Sequence, residues 1–266
     1  MHRSSLNKKS SRTAALALLL AICAVQARAD DARYQNAWDG IVGAGVGVIP
    51  DYVGSAHSKT ELQPLLKISY GRFFAGGEAG LGLGYNAFEL GDAVFGAFLT
   101  RALDAPRDTS NTPHLQGLGN VDATSRAALF AGYNHAWLRV AANVSWDVGG
   151  NRQGMLAKLS ADAVLHPAPG LALSVGPQLI YGSAQYEQTL FGVNASQSDR
   201  SGLPVYTPKG GLSQAALVFG ANYALSRNWL ASARVAVGRL EGDSGNSPVV
   251  EKQVQDSFGA YLAYQF

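Results

Sequence analysis

The chain is poor in cysteine and in charge: one cysteine, Cys23, and 15% charged residues in 266. That cysteine falls in a targeting segment. Arg3, Lys8, Lys9 and Arg12 precede an uncharged run from Thr13 to Val25, and Ala27-Arg28-Ala29 supplies an A-x-A cleavage site. Residues 1–29 therefore read as a signal peptide, and residues 30–266 as the exported chain of about 237 residues. Without Cys23, disulfides, thiol chemistry and cysteine-ligated metals are excluded. Leu20-Ala21-Ile22 before Cys23 weakly resembles a lipoprotein site, but the bulky Ile22 argues against it and the Ala27/Ala29 site fits better. Long apolar runs are missing as well. Nothing after Val25 approaches the roughly 20 residues of a membrane helix.

Removal of residues 1–29 takes away five basic residues and no acidic ones, leaving 16 basic against 19 acidic and a net charge of −3. The basic balance of the whole chain thus belongs to the targeting segment and gives no reason to expect nucleic acid as a partner. No Ser/Pro-rich linker or charge block divides the remainder, which reads as one domain. Thirty-one glycines with a mean hydropathy near zero suit a wall that faces lipid on one side and a polar lumen on the other.

What the sequence has is alternation. In its last stretch, Val254, Phe258, Ala260, Leu262, Tyr264 and Phe266 share one face while Gln255, Ser257, Gly259 and Gln265 share the other, because side chains of a strand alternate with period two. An aromatic at the last position, Phe266, suits the closing strand of an outer-membrane barrel. Similar segments run over 39–48, 62–70, 73–77, 79–88, 93–101, 124–133, 136–146, 155–163, 171–181, 212–223 and 229–238. In the first of them Gly43, Gly45 and Gly47 face one side, where they leave room inside a barrel.

The fold class that follows is all-β: a transmembrane antiparallel up-and-down β-barrel of about 12 strands. The connections agree. Tight turns at Tyr70-Gly71, Asn134-His135, His166–Gly170 and Ser226–Asn228 fall on one side, and long loops at Pro50–Glu61, Ala102–Asp122, Gly182–Gly211 and Glu241–Lys252 on the other. Short periplasmic turns and long outer loops are the asymmetry of such barrels. Residues Tyr186, Leu190, Phe191 and Val193 make the longest loop too apolar to stand free, so it is expected to pack over the mouth or fold into it.

Four segments resemble the MipA/OmpV outer-membrane proteins. They are Gly45-x-Gly47-x-x-Pro50-x-Tyr52-x-Gly54-Ser55; Phe191-Gly192-Val193 followed by Ser201-Gly202-Leu203-Pro204-x-Tyr206; Leu240-x-Gly242-Asp243 with Ser247-Pro248; and the terminal Tyr-x-Phe ending at Phe266. Their order and spacing match along the whole mature chain. The resemblance implies location in the outer membrane, with outer-membrane lipid and the barrel-assembly machinery as partners. For some members it implies a non-enzymatic scaffold between a lytic murein transglycosylase and a murein synthase; others are porin-like or adhesive. The residues themselves lead us to expect no cofactor and no metal.

Residues that carry chemistry are sparse. Asp51, Ser55 and His57 share an outer loop, which suggests a hydrolase, but a triad requires its members to meet in space and these residue types also make turns. His2, His114, His135 and His166 lack metal-ligand spacing. Asn194-Ala-Ser196 matches a glycosylation acceptor by chance. Arg139, Asp147, Lys158, Asp162 and Arg234 fall on lumen faces, where they either select solutes or pair with one another.

Overall fold

The computed structural model describes residues 38–77, 81–102, 106–109 and 112–266. The targeting segment and Asp30–Asn36 lie outside the described residues. Twelve strands follow one another: β1 Trp38–Pro50, β2 Ser58–Tyr70, β3 Phe73–Gly76, β4 Leu81–Leu90, β5 Ala93–Arg101, β6 Ser125–His135, β7 Leu138–Asp147, β8 Met155–Ala168, β9 Leu171–Gly182, β10 Gly211–Ala224, β11 Trp229–Leu240 and β12 Val254–Gln265. Each pairs with its sequence neighbours, and β1 pairs antiparallel with β12 from Ile41↔Gln265 to Val48↔Phe258, which closes the barrel. The Gly40 and Phe266 backbones exchange both hydrogen bonds, at 3.2 and 3.1 Å, so the seam runs to the last residue. Closure joins the last strand to the first, as strands that cross hydrocarbon require, while the short β3 pairs only with Lys67–Tyr70 of β2 and Leu83–Tyr85 of β4. Among the described residues no helix is long and apolar enough to cross a membrane.

Alternation sets the two faces. Along β12 the exposed Val254, Phe258, Leu262 and Tyr264 point outward, and the buried Gln255, Ser257, Tyr261 and Ala263 point inward. Opposed residues share a face, so Val144 lies outward between Leu129 and Ala157, and Val140 between Tyr133 and Ala161. Exposed Trp38, Tyr70, Phe73, Tyr85, Trp229 and Tyr264 girdle the short-turn rim. Neighbouring rings touch, with Trp38–Tyr70 at 5.0 Å and Phe73–Tyr85 at 4.9 Å between centroids. Such rings sit at the lipid–water boundary because one end of each is apolar and the other can meet water. Inside, Phe130 packs on Phe74 and Phe98, at 5.9 and 6.0 Å. Gly45 is required by the inner packing: a Cβ there would collide with the Tyr261 ring.

Several boundaries differ from those expected. β1 includes Pro50 and β2 starts at Ser58, so the loop read as Pro50–Glu61 shortens to residues 51–57. The polar Lys59 and Glu61 that suggested a loop lie, with Gln63, on the inward face of a strand; Lys59 Nζ lies 2.6 Å from Glu61 Oε1. Polarity on alternate positions marks the lumen, which a run of mixed residues hides. β8 continues through His166 and Pro167 to Ala168, so the five-residue turn shrinks to Pro169-Gly170. The prolines are tolerated because β7 has ended: the Val164 N–H makes the last bond on that side, to Trp137 O at 2.7 Å, and the register shifts between Leu165 and Ala168. The β8–β9 hairpin therefore stands beyond β7 at the short-turn rim.

Candidate functional site

Four long connections, 51–57, the described parts of 102–124 (106–109 and 112–124), 183–210 and 241–253, meet over one end of the barrel and build a cap. The longest carries two helices, α1 Ala184–Phe191 and α2 Ala195–Ser201. Ser183 caps α1, its Oγ accepting from the Tyr186 N–H at 3.4 Å. Asn194 caps α2 reciprocally with Gln197, both bonds at 2.9 Å. The apparent glycosylation acceptor is thus the start of a helix. A third short helix, α3 Gly242–Gly245, sits on the β11–β12 connection.

These segments bury an apolar core of their own. Tyr52, Leu115, Leu118, Val193 and Val249 form one cluster, with Leu203 and Tyr206 against it. Val121, Leu190, Phe191 and Leu240 form another, with Val53, Tyr186 and Val250 against it. Leu115, Val193 and Val249 are each 0% exposed. Burying three such side chains is worth roughly 1.5–3 kcal/mol apiece, and the three come from three different connections. The apolar residues of 183–211 do pack over the mouth, and they are met by partners from the other loops.

The motif residues tie the connections together. Pro50 ends β1. The Tyr52 hydroxyl donates to Glu251 Oε2 at 2.8 Å and lies 3.2 Å from Val249 O. Gly54 has φ +98, and a Cβ there would meet Val250 Cγ2 at 2.7 Å; its carbonyl accepts from the Glu251 and Lys252 N–H groups. Ser201 Oγ accepts from the Leu203 N–H at 3.2 Å, and Gly202 ends α2 at φ 76. Pro204 is exposed at the bend that follows. The Tyr206 hydroxyl donates to Asp243 O at 2.8 Å, and Asp243 Oδ2 accepts from the Lys209 N–H at 2.8 Å, just after Gly242 turns at φ 52.

Two ionisable groups inside the cap escape a reading of the sequence. Arg107, 4% exposed, donates from Nε to Gly119 O at 3.1 Å and from Nη1 to Leu190 O at 3.2 Å. Burial lowers its pKa to about 10, which leaves it cationic at neutral pH. Glu187, 1% exposed, accepts from Ser244 Oγ at 2.5 Å, while its Oε1 has no hydrogen-bond partner. Burial pushes its carboxyl above the ordinary range, against the hydroxyls of Ser244 and Ser213 that hold it down. A glutamate flanked by Tyr186, Leu190 and Phe191 was a visible sign of a buried acid. Arg107 gave none, since it sits in a run of turn residues.

The loop histidine and serine are not brought into a relay. Ser55 Oγ accepts from the His57 backbone N–H at 3.0 Å, and the Asp51 N–H donates to the His57 carbonyl at 3.0 Å. These bonds close a turn. His114 Nε2 lies 3.0 Å from Pro248 O, and His135 pairs with Asp92 at the opposite rim. Among the described residues no group of three or more His, Cys, Asp or Glu could hold a metal ion.

The expected lumen charges divide. Arg139 lies directly across from Asp162, and Lys158 across from Asn143. Asp162, 7% exposed, is in electrostatic reach of Arg139, Arg234 and Lys158. Asp147 is not one of this group. It ends β7 at the rim and holds the next connection, accepting from Thr124 Oγ at 2.5 Å and from the Gly149 and Gln153 N–H groups at 2.8 Å each. Charge at a strand end looks the same in the sequence as charge in the lumen.

The family described as MltA-interacting protein MipA matches residues 42–266, from β1 through the cap to the last residue. The chain belongs to the MipA family. As a member with a closed wall and an apolar outer face it is an outer-membrane β-barrel. No curated protein sequence matches it. Among solved structures, the chain is similar to a bacterial polysaccharide outer membrane secretin at 9% identity and a TM-score of 0.47, over 87% of this chain and 99% of that one. It is similar to the NanC porin at 8% identity and 0.41, over 86% and 100%. The outer membrane channel DcaP of Acinetobacter baumannii gives 8% and 0.40, over 86% and 96%. At these values no function passes from them to this MipA-family chain.

Proposed function

We propose that this MipA-family barrel is a non-enzymatic scaffold that acts through protein contacts and not as an open pore. The cap carries the reading: an apolar core shared by four connections lies where a solute would enter, and excluding water from a passage opposes conduction. The motif residues serve that cap by turn geometry and hydrogen bonds, and the Ser55 hydroxyl and the His57 backbone close a turn. The family's description as MltA-interacting supports a lytic murein transglycosylase as the partner class; a murein synthase is the second partner, on the family resemblance alone. Signal-peptide export and insertion by the barrel-assembly machinery belong to the same proposal.

Such partners would be met at the short-turn rim, the periplasmic side of a barrel of this kind. The β8–β9 hairpin offers more surface there than turns alone, with exposed Leu165, His166, Pro167 and Ala168 beyond the end of β7. A photo-crosslinker at His166 in intact cells should capture a murein enzyme, and one at Val205 on the cap should not. The competing reading is a small-solute channel. Planar-bilayer conductance separates the two: the intact protein should be silent, and removal of residues 185–207, which supplies Leu190, Phe191, Val193, Leu203 and Tyr206, should open the mouth while leaving the wall's backbone bonds in place. A large, steady conductance from the intact protein overturns the scaffold in favour of a channel.

A further inference from the structure

The wall is lowest at β3. Gly76 and Gly77 take φ +74 and +113, a left-handed pair that turns the chain out of the strand. β2 runs on from Leu65 up to Ser58 with β1 on one side, and among the described residues no strand pairs with it on the other. Two bonds fix which backbone groups face that side. The Asp51 N–H donates to the His57 carbonyl, so odd positions of β2 turn to β1; the Gly77 N–H donates to the Leu66 carbonyl at 2.8 Å, so even positions turn to β3. Thr60, Leu62 and Pro64 therefore present their backbone groups where β3 has ended. Leu62 shows the missing neighbour: it is 82% exposed, against 44% for Leu217 and 47% for Leu262, which face outward between two paired strands.

Depth makes this edge costly. At roughly 2.5 Å of height per residue of a tilted strand, Pro64 and Leu62 stand about 15 and 20 Å above Tyr70 of the rim girdle, inside an apolar band about 25 Å tall. Backbone groups left bare in hydrocarbon are strongly destabilised, so a guest that bonds to them is favoured. Pro64 selects the guest. It has no N–H to give, and a proline on an edge obstructs the addition of a further strand, which disfavours a protein segment. Leu62 and Pro64 together offer one donor, the Leu62 N–H, and two acceptors, their carbonyls. Leu62, with Leu81 and Leu83 exposed outward on β4, supplies apolar surface beside them. The wall stands in lipid, and a lipid has the apolar body to lie there. Ester-linked acyl chains bring acceptors alone, whereas amide-linked or hydroxylated chains bring N–H or O–H donors as well.

We propose that the edge of β2 above Gly77 is the binding site for one membrane lipid whose acyl chains are amide-linked or hydroxylated, bonded to the backbone of Leu62 and Pro64. The site does not depend on the scaffold reading. The test uses the full barrel refolded in detergent, with an N-(3-hydroxyacyl)glucosamine lipid as the probe and a diacyl phospholipid of equal chain length for comparison. The probe should slow exchange of the Leu62 amide about tenfold by nuclear magnetic resonance and leave the Leu217 amide unchanged. The phospholipid should change neither. Native mass spectrometry should show one probe per barrel, bound about tenfold more weakly by Leu62→Pro, which deletes the free N–H and no bond to β1. If that variant fails to fold, Leu62→Ala should weaken binding and Leu217→Ala should not. Equal protection by the phospholipid, a Leu62 amide indifferent to the probe, or capture of a protein by a photo-crosslinker at Leu62 in intact cells overturns the proposal.

Discussion

The cap should loosen as pH rises, and Glu187 should be the reason. Its carboxyl is held above the ordinary glutamate range by burial, and Asp243 adds to the shift. Between the ordinary value and the raised one, the folded cap binds a proton that the opened cap releases. Stability from this group is therefore fully present below the ordinary pKa and is lost as pH rises through the raised one. The neighbouring Tyr186 and Tyr206 hydroxyls are themselves pushed up by burial and stay neutral throughout. The magnitude follows from the oxygen count: Oε2 has Ser244 at 2.5 Å, and Oε1 has nothing. An unsatisfied buried oxygen costs about 1–3 kcal/mol, a change of roughly five- to 150-fold in the opening equilibrium. Hydrogen exchange reads this directly, as protection factors for amides of α1 and of the Val193–Tyr206 bridge as pH is raised from the ordinary glutamate range. Wild type should lose protection as pH rises, and Glu187→Gln, of the same shape without the charge, should not. Protection independent of pH in the wild type, or an equal loss in Glu187→Gln, would refute the assignment.

Tyr52→Phe removes the hydroxyl that bridges Val249 and Glu251 and should cost the cap about 1.5–3 kcal/mol, seen as faster protease cleavage in 241–253 with the barrel's melting unchanged. Val140→Arg places a cation on the lipid face and should cost about 2–4 kcal/mol if it lies at the midplane. Asn143→Arg, turned inward across from Lys158, should cost less, and folding titrations into lipid vesicles that give equal losses would remove the face assignment. Gly45→Ala puts a methyl into the Tyr261 ring and should destabilise by about 1–3 kcal/mol, measured by the same titration.

The strand count, the closing pair and the split between short and long connections were legible in the sequence. Alternation is a local property: Val254 to Phe266 shows its two faces without knowledge of any partner, and a slip of one residue would turn every apolar side chain inward. Membrane burial sharpens the pattern, because each outward position must suit lipid. The cap is different. Leu115 and Leu118 are isolated apolar residues in a polar connection, and Tyr52 reaches a carbonyl 197 residues away. No periodicity marks such contacts, so the sequence showed that 183–211 was too apolar to be free but not which residues received it. Asp147, on the lumen-facing side of β7 opposite Arg126, sits at the rim and anchors the next connection; Lys59 and Glu61 read as a loop and face the lumen. Strand faces are set by neighbours one and two residues away, whereas the cap and the charges beneath it exist only because closing the barrel brings distant connections over one mouth.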